Sequence, residues 1–285
     1  MRSGWRRPLS ASAVPTSLRR VDLVRRLPVD PLGVLGLLGL LAVWWAITAL
    51  RLVPRVFLPP PDEVATAITQ NFFFSSYLAS YNLGTGGLIA SLIYAAGNVL
   101  VALAIACLVG TALGLSSARL EFVRAVFDPI MLTAGTIPVL VTAPFFLIWF
   151  GPQHAAQVGL LIVYQTTIMY LFAQRAVTNL DPIYTSAART LGATPLRILS
   201  EVLLAGTLPE LFGGMRIALA GAWGLEAFAE LLGAPQGIGR VIQGLATATD
   251  IPTIMGAILA LAAVAVCFDA LVAGGFGFIT RWRAA

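Results

Sequence analysis

Lysine is absent from this 285-residue sequence, and histidine occurs once, at His154, so the 18 basic residues are all arginine, set against 13 acids. Charged residues make up only 11% of the chain. One histidine with no second histidine or cysteine near it leaves no metal-ligand cluster, and His154 reads as a loop residue. No Ser-His-Asp set and no pair of catalytic carboxylates accompanies it, so an enzyme is not indicated. The two cysteines, Cys107 and Cys267, both sit inside apolar segments. They read as small core side chains rather than as a disulfide or a metal site. The glycines of Gly233-Ala-Pro-Gln-Gly237-Ile-Gly239 are followed by no Lys-Ser or Lys-Thr and preceded by no strand, so they are not a phosphate loop. No ATP is expected to bind this chain.

What is present is apolar length. Hydrophobic residues are 58% of the chain, more than a soluble core of this size can use. Crossing a bilayer as a helix takes about 20 mostly apolar residues, and six segments reach or approach that length: 33–50, 88–115, 125–150, 158–174, 211–232 and 254–279. The short alternating segments of a β-barrel are absent. The expected fold is therefore all-α integral membrane with six transmembrane helices. The net charge of +5 belongs to membrane topology rather than to a nucleic acid partner. Fifteen arginines fall in the 1–30 tail, in the 116–124 and 175–209 connections, near the start of the fifth span and at the C-terminus, and only Arg51, Arg55 and Arg240 fall on the other side. Both termini are thus expected to be cytoplasmic.

Residues 1–30, arginine-rich and without apolar periodicity, are expected to form a mostly disordered cytoplasmic tail ahead of a transmembrane domain, 31–285. A cleavable signal would have a shorter apolar region with a small-residue cleavage site, whereas 33–50 is long enough to stay and span. Pro59, Pro60 and Pro61 cannot continue that helix. Asp62 and Glu63 suit the N-terminal dipole of a short interfacial helix outside the membrane. Gly110 and Gly114 have the small-xxx-small spacing of closely packed membrane helices. Pro129, Pro138 and Pro144 should kink the third span or leave it partly re-entrant, which makes it a candidate wall of a solute path. Tyr164, Gln165, Met169 and Trp223 could line the same path.

Three acids lie in or near spans: Glu226, Glu230 and Asp269. Charge at membrane depth is costly and turns toward protein or a water-filled cavity. Glu226 and Glu230, four apart, share a helical face with Trp223 nearby, and are candidate path residues. The plainer alternatives are that Glu230 caps neighbouring amides at the outer interface and that Asp269 pairs with an arginine near the inner face.

The most distinctive stretch is 184–209, YTSAARTLGATPLRILSEVLLAGTLP, polar and charged between two apolar spans. It resembles the EAA loop of permease subunits of ABC importers, Glu-Ala-Ala, three residues, Gly, nine residues, then Ile-x-Leu-Pro. Ala187, Ala188, Gly192 and Leu204 match, and Val202 replaces the isoleucine. Ser186 stands at the glutamate position and Ala205 at the proline position, with a later proline present as Pro209. Residues 57–64 (FLPPPDEV), 148–151 (IWFG) and 229–233 (AELLG) resemble segments of the nitrate, sulfonate and taurine branch of that family.

This resemblance implies the type I ABC importer permease fold and a place in a bacterial inner membrane as a multi-pass subunit. The 184–209 loop would carry a short helix seated in a groove of a cytoplasmic ABC ATPase dimer, with ATP and Mg held by that partner. Ser186, Ala187, Ala188, Arg189, Gly192, Ala193, Thr194, Pro195 and Arg197 would make or shape the contact. Gly192 would allow a sharp turn between two short helices, and Thr194 could cap the second with Pro195 in its first turn. The other implied partners are a periplasmic or lipid-anchored substrate-binding protein, a second permease copy, by default a homodimer, and membrane lipid. Three other readings stay open: an ion-coupled secondary transporter using Glu226 or Glu230 as proton carrier, a membrane subunit without transport, and, for the loop, an amphipathic helix on the inner leaflet.

Overall fold

The computed structural model describes residues 31–279; the 1–30 tail and the C-terminal arginines Arg281 and Arg283 lie outside it. The described residues form helices and connections, with no strand among them. By internal contacts the chain divides into units 1–61 and 62–285.

In the first unit, α1 (Pro31–Ala49) is the first apolar span. It stops where Arg51 takes a positive φ of 55° and prolines follow. Trp44 Nε1 donates to the Pro59 carbonyl at 3.1 Å, which ties the proline run back to its own helix.

The second unit begins one residue into α2 (Pro61–Asn71), whose first turn holds Pro61, Asp62 and Glu63, a residue that needs no amide partner followed by two anions at the positive end of the helix. A short α3 (Ser76–Ser80) follows, capped by the Ser75 hydroxyl accepting from the Leu78 amide at 2.9 Å. Gly84 and Gly87, both at positive φ, turn the chain into α4 (Gly87–Ser117). Then come α5 (Glu121–Thr136), α6 (Val139–Phe150) and α7 (His154–Asn179).

The centre of the unit is the α4–α7 pair, with α10 (Leu204–Leu231) laid along α7. The glycine spacing foreseen on α4 sets the approach. A Cβ on Gly110 would sit 2.7 Å from the Thr166 carbonyl, and one on Gly114 would sit 2.7 Å from Ala173 Cβ. Val99, Leu103, Leu160, Leu161, Leu219 and Trp223 fill the core between these helices.

The third apolar segment is broken, as its prolines required. α5 and α6 meet at 105° across Ile137 and Pro138, while Pro129 and Pro144 stay within helices. Among the described residues five helices are long and apolar enough to cross a membrane, or six if the bent pair forms one broken span.

Two expectations about where helices lie need correction. The stretch 184–209 is not a separate loop ahead of a span that begins at 211. After α8 (Pro182–Thr190) and a tight turn, α9 (Pro195–Arg197) runs through a π-helical segment, Ile198–Leu203, straight into α10, so one helix of 37 residues spans Pro195–Leu231. Polar side chains do not interrupt a helix, and Pro209 is accommodated inside it. The glycine-rich connection after the fifth span also contains an unforeseen helix, α11 (Ile238–Thr247), which buries Ile238, Val241 and Leu245. The signal was legible as an i, i+3, i+7 stripe, masked by Gly237, Gly239 and Gly244. Asp250 then starts α12 (Ile251–Ile279), accepting from the Thr253 amide at 3.2 Å and from the Tyr77 hydroxyl at 2.8 Å. Burial, and then this bond to Asp250, push the Tyr77 phenol above its ordinary value.

Candidate functional site

Two sites lie at opposite ends of the Pro195–Leu231 helix. At its start, the chain leaves α7 at Leu180, and the Asp181 carboxylate accepts from the Ile183 amide at 2.9 Å to begin α8, with Pro182 in the first turn. None of the α8 side chains is buried. Gly192 has φ of 80° and open space around its missing Cβ. Conformation rather than crowding selects glycine there, since an L side chain at that φ is strained. The Thr194 hydroxyl accepts from the Arg197 amide at 3.4 Å, and Pro195 opens the second helix.

The structure brings the predicted loop residues onto one hairpin of two short helices. Ser186, Ala187, Arg189, Gly192, Thr194, Pro195 and Arg197 are exposed, and Ala188 and Ala193 are half-buried. Arg197 is paired with Glu201 at 2.9 Å along its own helix, both side chains largely in solvent. Sequence reasoning overlooked two residues that stand out: Leu191 and Leu196, 87% and 73% exposed, flank the Gly192 turn as a pair of apolar knobs. Their signal was a leucine on either side of a glycine turn in an otherwise polar stretch. Behind the hairpin lies a cavity of about 600 Å³, lined among others by Tyr184, Glu201, Ala205, Pro209 and Glu210.

At the other end of the helix is a buried polar group. Asn98 Nδ2 on α4 donates to Glu226 Oε1 at 2.5 Å and to Gln157 Oε1 at 3.0 Å, and the Tyr94 hydroxyl donates to the same Gln157 oxygen at 2.9 Å. Glu230 Oε2 accepts from the Gly239 amide at 2.7 Å, in the first turn of α11. Gly237 and Gly239 cradle that carboxylate: the Glu230 carboxyl group fills the place a Gly237 side chain would take, and a Cβ on Gly239 would lie 2.8 Å from Glu230 Cβ. The glycines that could not be a phosphate loop are thus a carboxylate cradle. Glu230 caps amides, the plainer of its two sequence readings. Asp269 likewise pairs with Arg216, bidentate at 2.7 and 2.6 Å.

Of the six residues expected to line a solute path, one borders a cavity and five are buried in the single chain. Tyr164 borders a cavity of about 580 Å³ beside the α5–α6 bend, where Ile137, Pro138, Gly221, Leu225 and Phe228 join it. Gln165, Met169, Trp223, Glu226 and Glu230 are buried inside the bundle. The reason is helical geometry: Gln165 follows Tyr164 by about 100° of rotation and faces elsewhere, while Trp223, Glu226 and Glu230, at i, i+3 and i+7, form a stripe turned inward. The Tyr164 ring lies across Gly221, which has no side chain to obstruct it.

Comparison with known proteins follows the same lines. The family described as "Binding-protein-dependent transport system inner membrane component" matches residues 110–283. The taurine transport system permease protein TauC of Escherichia coli (strain K12) is 31% identical over 79% of this chain and 80% of its own. The nitrate import permease protein NrtB of Synechococcus elongatus is 30% identical over 80% and 81%. The putative aliphatic sulfonates transport permease protein SsuC of Bacillus subtilis (strain 168) is 26% identical over 88% and 87%. Among solved structures, an inward-facing MetNI methionine ABC transporter chain superposes with a TM-score of 0.58 at 21% identity, covering 73% of this chain and 98% of that one, a likeness of fold. None of these relatives is an ion-coupled secondary transporter.

Proposed function

The chain belongs to the family of binding-protein-dependent transport system inner membrane components, and from that membership we propose how its two ends divide the work. It is a membrane-spanning permease subunit of an ABC importer, multi-pass in a bacterial inner membrane, a transport component rather than an enzyme. An ATPase and a substrate-binding protein are its partners as a class.

The hairpin of α8 and α9 is the contact with the ATPase. The observation that carries this is the pair Leu191 and Leu196, exposed on either side of the Gly192 turn in a segment that buries nothing of its own. Leucines left in water on a polar hairpin favour a groove in another protein. Ser186, Ala187, Ala188, Arg189, Ala193, Thr194, Pro195 and Arg197 shape or border that contact, and the hairpin faces the cytoplasm together with both termini. The permease domain runs over 31–285, two copies face each other across the solute path, and ATP with Mg stays on the ATPase dimer. The path runs past Tyr164 at the α5–α6 bend, and Gln165, Met169, Trp223, Glu226 and Glu230 stiffen its wall from behind.

The solute is a small organic sulfonate, on the strength of the taurine and sulfonate relatives. One observation favours a second reading, a neutral or aromatic solute: the cavity at Tyr164 is lined by no charged side chain. Binding of taurine, alkanesulfonates, nitrate and aromatic acids to the external binding protein decides between them. For the hairpin, Gly192→Trp in the reconstituted transporter should leave the chain in the membrane while uptake and binding-protein-stimulated ATP hydrolysis fall at least about tenfold, an apparent coupling loss of about 1.4 kcal/mol. Survival of both activities would remove the hairpin from the mechanism.

A further inference from the structure

The buried end of the long helix poses a problem of charge. Glu226 and Glu230 are each wholly removed from solvent. The side chains that bond to them or to their partners are neutral: Asn98 and Tyr94 from α4 and Gln157 from α7, with the Gly239 amide from α11. His154 meets the edge of the Tyr94 ring at 5.9 Å, and Arg240 on α11 is bonded to Gln243 at 3.3 Å. Two bare carboxylates one helical turn apart, without a cation beside them, would be strongly unfavourable in a low-dielectric interior.

The hydrogen-bond pattern indicates the remedy. Each carboxyl has one oxygen that accepts from a neutral donor, Glu226 Oε1 from Asn98 and Glu230 Oε2 from Gly239. The other oxygen of each, Glu226 Oε2 and Glu230 Oε1, finds no donor among the described residues. The two side chains stand one helical turn apart on the same face of α10, neighbours on the helix surface. As two carboxylates neither can donate; with one proton between them the leftover oxygens satisfy each other. Close by, Gln157 Nε2, 1% exposed by residue and also without an acceptor, adds an unpaired donor and no positive charge.

We propose that Glu226 and Glu230 bind one proton between them as a carboxylic acid–carboxylate pair. The pair completes an unbroken strap from the start of α11 through Gly239, Glu230, Glu226 and Asn98 to Gln157 and Tyr94, tying three helices and the amide end of a fourth. The proton is a resident of this strap and is held inside the bundle by it.

Infrared difference spectroscopy on the whole transporter in nanodiscs tests this without reference to transport. The wild type minus Glu226→Gln and wild type minus Glu230→Gln spectra should each show loss of the same protonated-carboxyl band, equivalent to about one carboxyl per chain and shifted in D₂O. The Asp269→Asn variant, whose carboxylate is paired with Arg216, should retain it. Absence of any such band would mean two ionised carboxylates balanced by a metal cation, and two separate bands, one lost in each variant, would mean two protons; either result overturns the shared proton. Should the glutamine variants not assemble, Glu226→Asp and Glu230→Asp serve: each should shift the one band, and a band unmoved by both overturns the proposal. Failure here leaves the importer assignment untouched, because the readout is the carboxyl group and not uptake.

Discussion

The two ends of the Pro195–Leu231 helix are built in opposite ways. Around Glu226 and Glu230 the polar groups are hidden and find most of their partners within the chain, through Asn98 and Gly239. Around Gly192 the reverse holds, with apolar Leu191 and Leu196 turned outward and no buried residue in α8. Polarity hidden inside a bundle and apolarity displayed to water are both costly, so each marks a demand. At the buried end the demand is met by the chain's own helices; at the hairpin the proposed ATPase contact would meet it. Where a side chain's partner lies, more than how polar it is, separates scaffold from docking surface.

If the contrast is right, substitutions in the core should act on stability and those in the hairpin on coupling. The largest effect on stability is expected at the α4–α7 crossing that supports the buried end. Gly114→Val puts side-chain atoms against the Tyr170 carbonyl and Ala173, and should cost at least about 3 kcal/mol by overpacking; thermal unfolding in detergent and membrane yield would report it. Next comes Asn98→Leu, which takes a donor from buried Glu226 and Gln157 together, an expected loss of about 2 to 3 kcal/mol. A stability within 0.5 kcal/mol or so of wild type would show that the buried end does not depend on its polar strap.

Gly192→Val should lie lower, about 1 to 2 kcal/mol from the strained φ of 80°, while abolishing stimulation of the ATPase. A fall in folded yield as large as that of the α4 variant would erase the distinction between the ends. Smallest of all on stability is Arg197→Ala, about 0.3 to 0.5 kcal/mol for an exposed i, i+4 pair with Glu201. By contrast, Leu191→Glu should be as mild in unfolding and severe in coupling, and uptake assays on the pair sharpen the claim that the apolar knobs, rather than the charges, hold the contact.

Much of this was legible in the sequence, for physical reasons that also explain the gaps. Bilayer thickness fixes span length, so the six apolar segments could be seen at once. Small residues at i and i+4 announced a close helix approach without naming its partner, three prolines marked the third segment as broken without showing that Pro138 is the break, and Gly192-Ala-Thr194-Pro195 announced a turn followed by a capped helix. The burial of Gln165 beside cavity-facing Tyr164 was not legible, because adjacent residues on a helix point about 100° apart and sequence alone gives no rotation about the axis. Helix α11 was hidden by glycines whose purpose is to admit Glu230, a partner nine residues earlier that propensity cannot anticipate. The continuity of Pro195–Leu231 was obscured because hydropathy changes along it while the backbone pattern does not.

That continuity has a mechanical consequence. At about 1.5 Å per residue, 37 residues make a rod of about 55 Å, longer than the apolar thickness of a bilayer. The rod's weakest place is the π-helical segment Ile198–Leu203, where a widened turn can be wound in or out by one residue. Such a joint would let the hairpin swivel while the rod beyond it keeps its length, much as a universal joint passes thrust through a change of angle.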